Sequence, residues 1–414
     1  MNPTEILRRA KELKDHKRVK LLWFLQSLAL QDCGDEKFAT DLKGHFPERH
    51  ARLMKSQYWG FASDPDPINA KDELFKQVMG DDATCPEATA LLLEYMRLTE
   101  SDTKRRFHLT NIGSKVWETL DWCQEERRPC FIEGFEGRGK TSAARAWHES
   151  HRGESRYVSL PGLRTQRDFF EAIATAYGVN FSSAKAPNEI RFRLRDMIVR
   201  SGLILILDEA HHALPERHRA GRPALIDWID CDLCNAGVPV VLVSTPQFGP
   251  SLAEFADRTK WNAGQFRRRF SGRWTCLPVK TSRDDLVTLA EQAMPKVGSK
   301  GLNLAVGYAG TFGRDVSGLF DLVRDAERRA RKANHPAVTY QDLRAAYDLD
   351  RVPCENAMAN SFKRPILPRP SAVEDTLPES SEPAAATLQR GILHSESEFT
   401  APDRGLSAPL LATH

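Results

Sequence analysis

The sequence predicts an α/β fold built around a parallel sheet. Between residues 105 and 278, short apolar runs at 129–133, 203–207 and 238–243 alternate with helical patterns. Runs that are apolar throughout are typical of strands covered on both faces, and strands that alternate with helices are typically parallel. We expect a helical N-terminal domain at 1–104 and a second helical region at 279–350. Residues 351–414 are rich in Pro, Ser, Glu and Ala without periodicity, which predicts a disordered tail.

The loop after the first strand is the strongest functional signal. Residues 134–141 fit the pattern Gly, four residues, Gly-Lys-Thr, which is typical of a phosphate-binding loop. Its glycines let successive backbone N–H groups turn toward a phosphate, and the next helix places that phosphate at a helix N-terminus. Lys140 can reach the β- and γ-phosphates, and the Thr141 hydroxyl can ligate Mg²⁺. We therefore expect ATP and Mg²⁺ to bind at Gly134, Gly137, Gly139, Lys140, Thr141 and Ser142.

Two acidic residues follow the second apolar run directly. Asp208 is expected to hold Mg²⁺ through water, and Glu209 is expected to orient the water that attacks the γ-phosphate. The alternative interpretation is an ordinary buried strand that ends in two solvated acids. Together with Lys140, the pair predicts an ATPase.

Four local features resemble the AAA+ ATPases, and among them the DNA-transposition ATPases of the Mu B, TniB and TnsC type. The first is Phe107-His108-Leu109-Thr110 before a predicted helix at 112–124. The second is the acidic motif, extended by two histidines and a leucine at 208–214. The others are Ser244-Thr245-Pro246-Gln247-Phe248 and Arg269-Phe270. The resemblance covers residues 105–345 and implies an AAA+ P-loop core followed by a helical lid at 279–350.

The resemblance also implies roles for side chains outside the phosphate loop. Thr245, at the tip of the strand beside the acidic one, would sense the γ-phosphate, with Ser244 as the alternative. Arg269 would reach into a neighbouring subunit's nucleotide, although Arg267, Arg268 and a solvated basic helix end remain open. Arg314, at the start of a predicted helix at 316–332, is a candidate second sensor or a plain basic helix start.

Partners follow from the same resemblance. The chain would form a homo-oligomer, a ring or a filament, on double-stranded DNA and would recruit or activate a transposase. The net charge of +3 gives no global field, so contacts to phosphates must come from local patches. Arg164 and Arg167 are the candidates, with two solvated arginines as the alternative. A signalling NTPase switch and a replication-type loader, neither of which touches DNA, remain open.

Three other signals are weaker. Asp208-Glu209-Ala210-His211 spells a helicase motif, but the Gln-x-x-Gly-Arg-x-Gly-Arg motif of those helicases does not occur in the sequence. Cys231 and Cys234 share a helix face, but a structural zinc needs two further ligands. The apolar residues 21–30 are too short to span a bilayer, so we expect a cytoplasmic protein without a membrane partner.

Overall fold

The central sheet is parallel, as predicted. In the part of the chain that the structure describes, it has five strands: β1 (Cys130–Glu133), β2 (Ser155–Ser159), β3 (Ile204–Asp208), β4 (Val240–Ser244) and β5 (Trp274–Cys276). Their order is β2-β3-β4-β1-β5, and each neighbouring pair runs parallel. Strand β4 therefore lies between the strand that enters the phosphate loop and the strand that ends in Asp208.

The structure is a computed structural model. It describes residues 3–13, 15–30, 44–46, 86–160, 162, 165–179, 187–214, 223–311 and 314–363. Residues 1–361 form one compact unit, and residues 362–414 form a second, of which the structure describes only 362 and 363. No helix among these residues is long and apolar enough to cross a membrane.

The N-terminal helices share a hydrophobic core with the sheet. Among the described residues they are α1 (Pro3–Leu13), α2 (His16–Leu30) and α3 (Pro86–Arg106). Leu21, Leu22 and Phe24 are fully buried in the same apolar cluster as Phe169 and Ile173 of the core. The boundary expected at 104 therefore does not separate two hydrophobic cores. The charged residues around it, 100–106, are the last residues of α3.

Arg156 attaches α2 to the edge strand β2. Its guanidinium donates to the Trp23 carbonyl at 3.1 Å and to Gln26 Oε1 at 2.8 Å, and it lies 5.3 Å from the centre of the Trp23 ring. Burial lowers the pKa of Arg156 to about 10. In return, Gln26 donates to the Tyr177 carbonyl at 3.0 Å. These buried polar contacts need their partners, since a lone charge would be costly to bury.

Helices cover both faces of the sheet. They are α4 (Asn111–Glu126), α5 (Lys140–Glu149), α6 (Gln166–Ala176), α7 (Pro187–Ser201), α8 (Ala224–Asp227), α9 (Phe248–Thr259) and α10 (Gly264–Phe270). A capping box at 165–168 begins α6, with Asp168 N donating to Thr165 Oγ1 at 3.2 Å and Thr165 N to Asp168 Oδ2 at 2.9 Å. Cys231 and Cys234 lie in a π-helical and a 3-10 segment after α8, and the described residues contain no group of three or more His, Cys, Asp or Glu side chains that could hold a metal ion.

A helical lid with its own apolar core follows the sheet. It consists of α11 (Arg283–Ala293), α12 (Gly298–Thr311), α13 (Asp315–Lys332), α14 (Tyr340–Ala346) and α15 (Val352–Lys363). Its buried cluster includes Leu286, Leu319 and Leu343 and draws on residues 286–346 alone. Residues 352–363 were expected to belong to a disordered tail, but they form the helix α15. Glu355 is buried there and accepts hydrogen bonds from Tyr308 and Arg314. Residues 364–414 lie outside the described part.

Candidate nucleotide site

The phosphate loop joins β1 to α5 as the sequence predicts. Gly137 and Gly139 have φ of 72° and 82°, which is the left-handed region that favours glycine. A Cβ at Gly137 would also meet Ser317 Oγ at 2.5 Å, whereas a Cβ at Gly139 would meet nothing within 4 Å. Gly139 therefore serves the backbone turn, and Gly137 also allows the lid to approach the loop.

Lys140 is the first residue of α5 and is buried. Its Nζ donates to the Phe135 carbonyl at 2.8 Å. Burial lowers the pKa of Lys140, while the carboxylates of Glu209 and Asp208 act against that shift. The ammonium group therefore lies where the loop backbone and the acidic pair converge.

Asp208 is held in place by a tyrosine that the sequence analysis missed. The Tyr157 hydroxyl, on β2, donates to Asp208 Oδ2 at 2.7 Å, and the Glu209 backbone N–H donates to Oδ1 at 2.9 Å. Burial and the neighbouring Asp208 both raise the pKa of Tyr157, so the phenol keeps its proton. Asp208 is 1% exposed, and these two donors fix the orientation of its carboxylate.

Glu209 occupies a special backbone conformation. Its φ of 57° and ψ of 41° are left-handed, which is uncommon outside glycine. The His211 Nδ1 lies 3.4 Å from Glu209 Oε2, and burial, reinforced by His212, lowers the pKa of His211. Glu209 lines the same cavity as Lys140 and Thr141. Its carboxylate is thus partly exposed and able to bind a water there.

Ser244 and Thr245 lie beside the phosphate loop. The Gly134 backbone N–H donates to the Ser244 carbonyl at 3.1 Å. Both side chains are buried, and neither hydroxyl oxygen has a hydrogen-bond partner among the described residues. A buried hydroxyl without a hydrogen-bond partner lowers the stability of the fold unless a ligand or water bonds to it. The pair is therefore suited to contact a polar ligand in the loop.

A cavity of about 700 Å³ opens above the loop. Its polar lining includes Lys140, Thr141 and Glu209. It is also lined by Phe107 and Thr110 ahead of α4 and by apolar side chains of the lid, among them Leu289, Val316 and Phe320. A cavity of this size with both polar and apolar lining fits a nucleotide.

The donor set also fits a magnesium ion. Mg²⁺ usually takes one or two protein oxygens and completes its shell with water and phosphate oxygens. Thr141 lines the cavity at the start of α5, and the buried Asp208 carboxylate ends the strand next but one to β1. These two residues would hold the ion, which would neutralise phosphate charge.

An ion pair that the sequence analysis missed links the loop to the lid. Arg138 Nη1 donates to Asp315 Oδ2, and the two side chains are only 10% and 3% exposed. The Thr281 backbone N–H donates to the same Asp315 oxygen at 2.8 Å. Nearby, Ser317 N donates to the Gly137 carbonyl at 3.0 Å. The first turn of α13 is therefore tied directly to the phosphate loop.

Arg314 does not occupy the second-sensor position expected of it. Its Nε lies 2.9 Å from Glu355 Oε1, and its Nη2 lies 3.3 Å from Met358 Sδ. Both partners belong to α15, a helix the sequence analysis placed in the tail. Among the described residues, Arg324 lines the cavity and Arg314 does not.

Arg269 is similarly engaged within its own chain. Its Nε lies 3.1 Å from the buried Asp230 carboxylate, and it also donates to the Asp230 carbonyl and to Asn235 Oδ1. Burial raises the pKa of Asp230, with Arg269 acting against that shift. Arg267 and Arg268 are exposed on the same helix. Arg269 thus has a structural role here.

The two candidate DNA contacts differ in what the structure describes. Arg164 lies outside the described residues. Arg167, in the first turn of α6, donates from Nε to Glu171 Oε1 at 2.6 Å, and both side chains are about one-third to two-fifths exposed (34% and 44%). A share of its charge is therefore offset within the helix.

Comparisons with known proteins agree with this geometry. Residues 123–252 match the family model of an AAA domain. The chain has an AAA+ P-loop fold. The matched segment contains the phosphate loop, the acidic pair and strand β4. No curated protein is significantly similar in sequence to the chain.

Several solved structures share parts of the architecture at low identity. The Aeropyrum pernix ORC2 protein, in ADPNP–ADP complexes, is 15% identical with a TM-score of 0.44, over 57% of this chain and 67% of that one. The A. pernix ORC1 protein in complex with DNA is 18% identical with a TM-score of 0.45, over 63% and 70%. The Thermotoga maritima RuvB Holliday junction branch migration motor is 15% identical with a TM-score of 0.38, over 58% and 68%.

Proposed function

We propose that the chain is an ATPase that binds ATP with Mg²⁺ and hydrolyses it. The observation that carries this proposal is a nucleotide-sized cavity lined by Lys140, Thr141 and Glu209, with the Asp208 carboxylate near enough to Lys140 to act against the lowering of its pKa. The buried, unpartnered hydroxyl of Thr245 supports it, because a γ-phosphate oxygen would satisfy that group. Phe107 and the lid side chains would enclose the base.

Each side chain has a distinct task in this proposal. Backbone N–H groups of the loop and Lys140 would bind the phosphates and offset the charge that develops on them. Thr141 and Asp208 would hold the metal ion, and Tyr157 would orient Asp208. Glu209 would accept a hydrogen bond from the attacking water and align it with the γ-phosphorus.

Two variants test the nucleotide site. Lys140→Ala should abolish tight ATP binding, since it removes the cation that faces the β- and γ-phosphates. Glu209→Gln should keep ATP affinity and slow turnover by about a hundredfold or more, an effect in the range of other catalytic groups. Lys115→Ala and Glu118→Gln, on the exposed face of α4, are matched controls. Unchanged ATP affinity in Lys140→Ala would remove the phosphate-loop assignment, and wild-type turnover in Glu209→Gln would remove Glu209 from the mechanism.

We also propose that ATP joins neighbouring subunits of a homo-oligomer, a ring or a filament. Arg267 and Arg268 are the candidate fingers, because they are exposed while Arg269 is bound to Asp230. Arg268→Ala should bind ATP yet hydrolyse it slowly. Mixing it with Lys140→Ala subunits should restore activity at one type of interface. Hetero-oligomers that stay inactive at every ratio would exclude Arg268, and Arg267 would be tested next.

We further propose double-stranded DNA and a transposase as partners. The resemblance to transposition ATPases favours a cytoplasmic protein that assembles on double-stranded DNA through Arg164 and Arg167 and then recruits a transposase. Gel retardation with and without ATP tests this. Retardation of the DNA by the protein should need ATP, decrease steeply as the salt concentration rises and vary little with the DNA sequence. Without ATP-dependent retention at low salt, a signalling switch or a replication-type loader becomes the better proposal.

A further inference from the structure

The lid and the sheet meet through polar contacts. The buried apolar cluster of the lid shares no member with the two clusters that flank the sheet, as far as the described residues go. One polar attachment is Asp285, which accepts from Asn111 N at 2.7 Å and lies 3.3 Å from His108 Nε2. Another is Asp315, which is paired with Arg138. The first carboxylate attaches to the segment ahead of α4 and to the start of that helix, and the second attaches to the phosphate loop. His108 and Arg138 both line the nucleotide cavity.

The Arg138–Asp315 pair is buried but incompletely satisfied. Arg138 Nε and Asp315 Oδ1 have no hydrogen-bond partner among the described residues, and neither has the nearby Thr281 Oγ1. A buried ion pair with unsatisfied hydrogen-bonding atoms contributes little to stability. Arg138 also lines the cavity, so its guanidinium lies beside the space for a ligand while Nη1 holds the lid. A guanidinium suits this task because its donors form a rigid fork.

We propose that Arg138 binds a phosphate with one edge of its guanidinium and the lid carboxylate Asp315 with the other, so that Asp315 is a positioning residue. The lid is thereby held closed when the phosphates are present, although Asp315 touches no part of the nucleotide. This proposal rests on the proposed ATP binding and adds a residue pair that sets how the lid responds to it.

The direction in which Asp315→Asn changes ATP affinity distinguishes this positioning role from a purely electrostatic effect of the carboxylate. Removing a negative charge near a polyanion should tighten ATP binding if Asp315 acts only through its field. If Asp315 positions Arg138, Asp315→Asn should instead weaken ATP binding, by about tenfold on the scale of typical coupling energies. Asn also tolerates the left-handed φ of 51° that Asp315 adopts, so the exchange changes charge with little change in backbone strain.

The experiment measures affinity and lid protection in the same samples. Binding of a fluorescent ATP analogue gives the affinity, and hydrogen exchange without nucleotide reports the Thr281 and Ser317 amides, which donate to Asp315 and to Gly137. In Asp315→Asn, both amides should exchange faster and ATP affinity should fall. Asp348→Asn, which breaks an exposed lid pair with Arg344, should change neither.

Two outcomes overturn the proposal. One is unchanged or tighter ATP binding in Asp315→Asn, and the other is unchanged exchange at both amides. If that variant does not fold, Arg138→Lys gives the second test, since a lysine keeps the charge but lacks the planar fork of donors with two separate edges. Its ATP affinity should also fall, and wild-type affinity would overturn the bridge. Failure of the wild-type protein to bind ATP would instead refute the proposed function, and the exchange result would still decide whether Asp315 holds the lid.

Discussion

Replacing Tyr157 with Phe should weaken the response to Mg²⁺ and leave metal-free nucleotide binding intact. The change deletes one oxygen, which donates to Asp208 Oδ2 at 2.7 Å. A hydrogen bond to a charged group contributes about 1.5–3 kcal/mol, and loss of such an outer-shell contact typically costs about 10–100-fold in metal affinity or activity. The two figures agree, since each tenfold step is about 1.4 kcal/mol.

The assay is a Mg²⁺ titration of ATP turnover, with nucleotide binding in EDTA measured alongside. The Mg²⁺ concentration at half-maximal turnover should rise by about tenfold or more, because the carboxylate keeps only the Glu209 backbone N–H as a fixed donor. Tyr308→Phe is the matched control, since it deletes a hydroxyl that donates to a buried carboxylate of the lid. An unchanged Mg²⁺ requirement in a folded Tyr157→Phe protein would refute the assignment of Asp208 as a metal ligand oriented by Tyr157.

Three further predictions concern stability. Arg156→Leu should lower the free energy of unfolding by about 3 kcal/mol or more, measured in urea, because buried acceptors on α2 lose their donor. His148 is buried, and burial lowers its pKa well below the usual value. As the pH falls below about 6.5, His148 takes up a proton in the unfolded chain but not in the folded protein, so the free energy of unfolding should decrease. His148→Gln should make that decrease smaller. Arg269→Ala should cost about 3 kcal/mol by leaving Asp230 buried and unpaired, whereas Arg268→Ala should cost little; equal effects would contradict the structural role of Arg269.

The local motifs were predictable from the sequence because each lies within one short segment. The loop at 134–141 fixes its own geometry through glycine positions, and the acids at 208 and 209 follow a strand that is apolar along its whole length. The capping box at Thr165 likewise needs only residues three apart. Sequence spacing carries this information directly.

The contacts that join distant segments were not predictable in the same way. Tyr157 and Asp208 are 51 residues apart, and Arg138 and Asp315 are 177 apart. Their meeting depends on strand order and on where the lid packs, and no periodicity encodes either. The tail boundary failed for a related reason. Composition averages over a segment, whereas α15 is held by one buried carboxylate at Glu355.

The shared core of the N-terminal helices has a consequence for synthesis of the chain. Helices α1 and α2 are made before two of the segments that hold them, since α1 packs on α7, which ends at Ser201, and α2 bonds to Arg156. At about 5–20 residues per second, their apolar side chains wait for these partners for roughly ten to thirty seconds. Trp23 and Phe24 are among the side chains that must wait. The nascent chain therefore exposes apolar side chains of α1 and α2 during this interval. The yield of folded protein in cells should depend on chaperones that bind these helices.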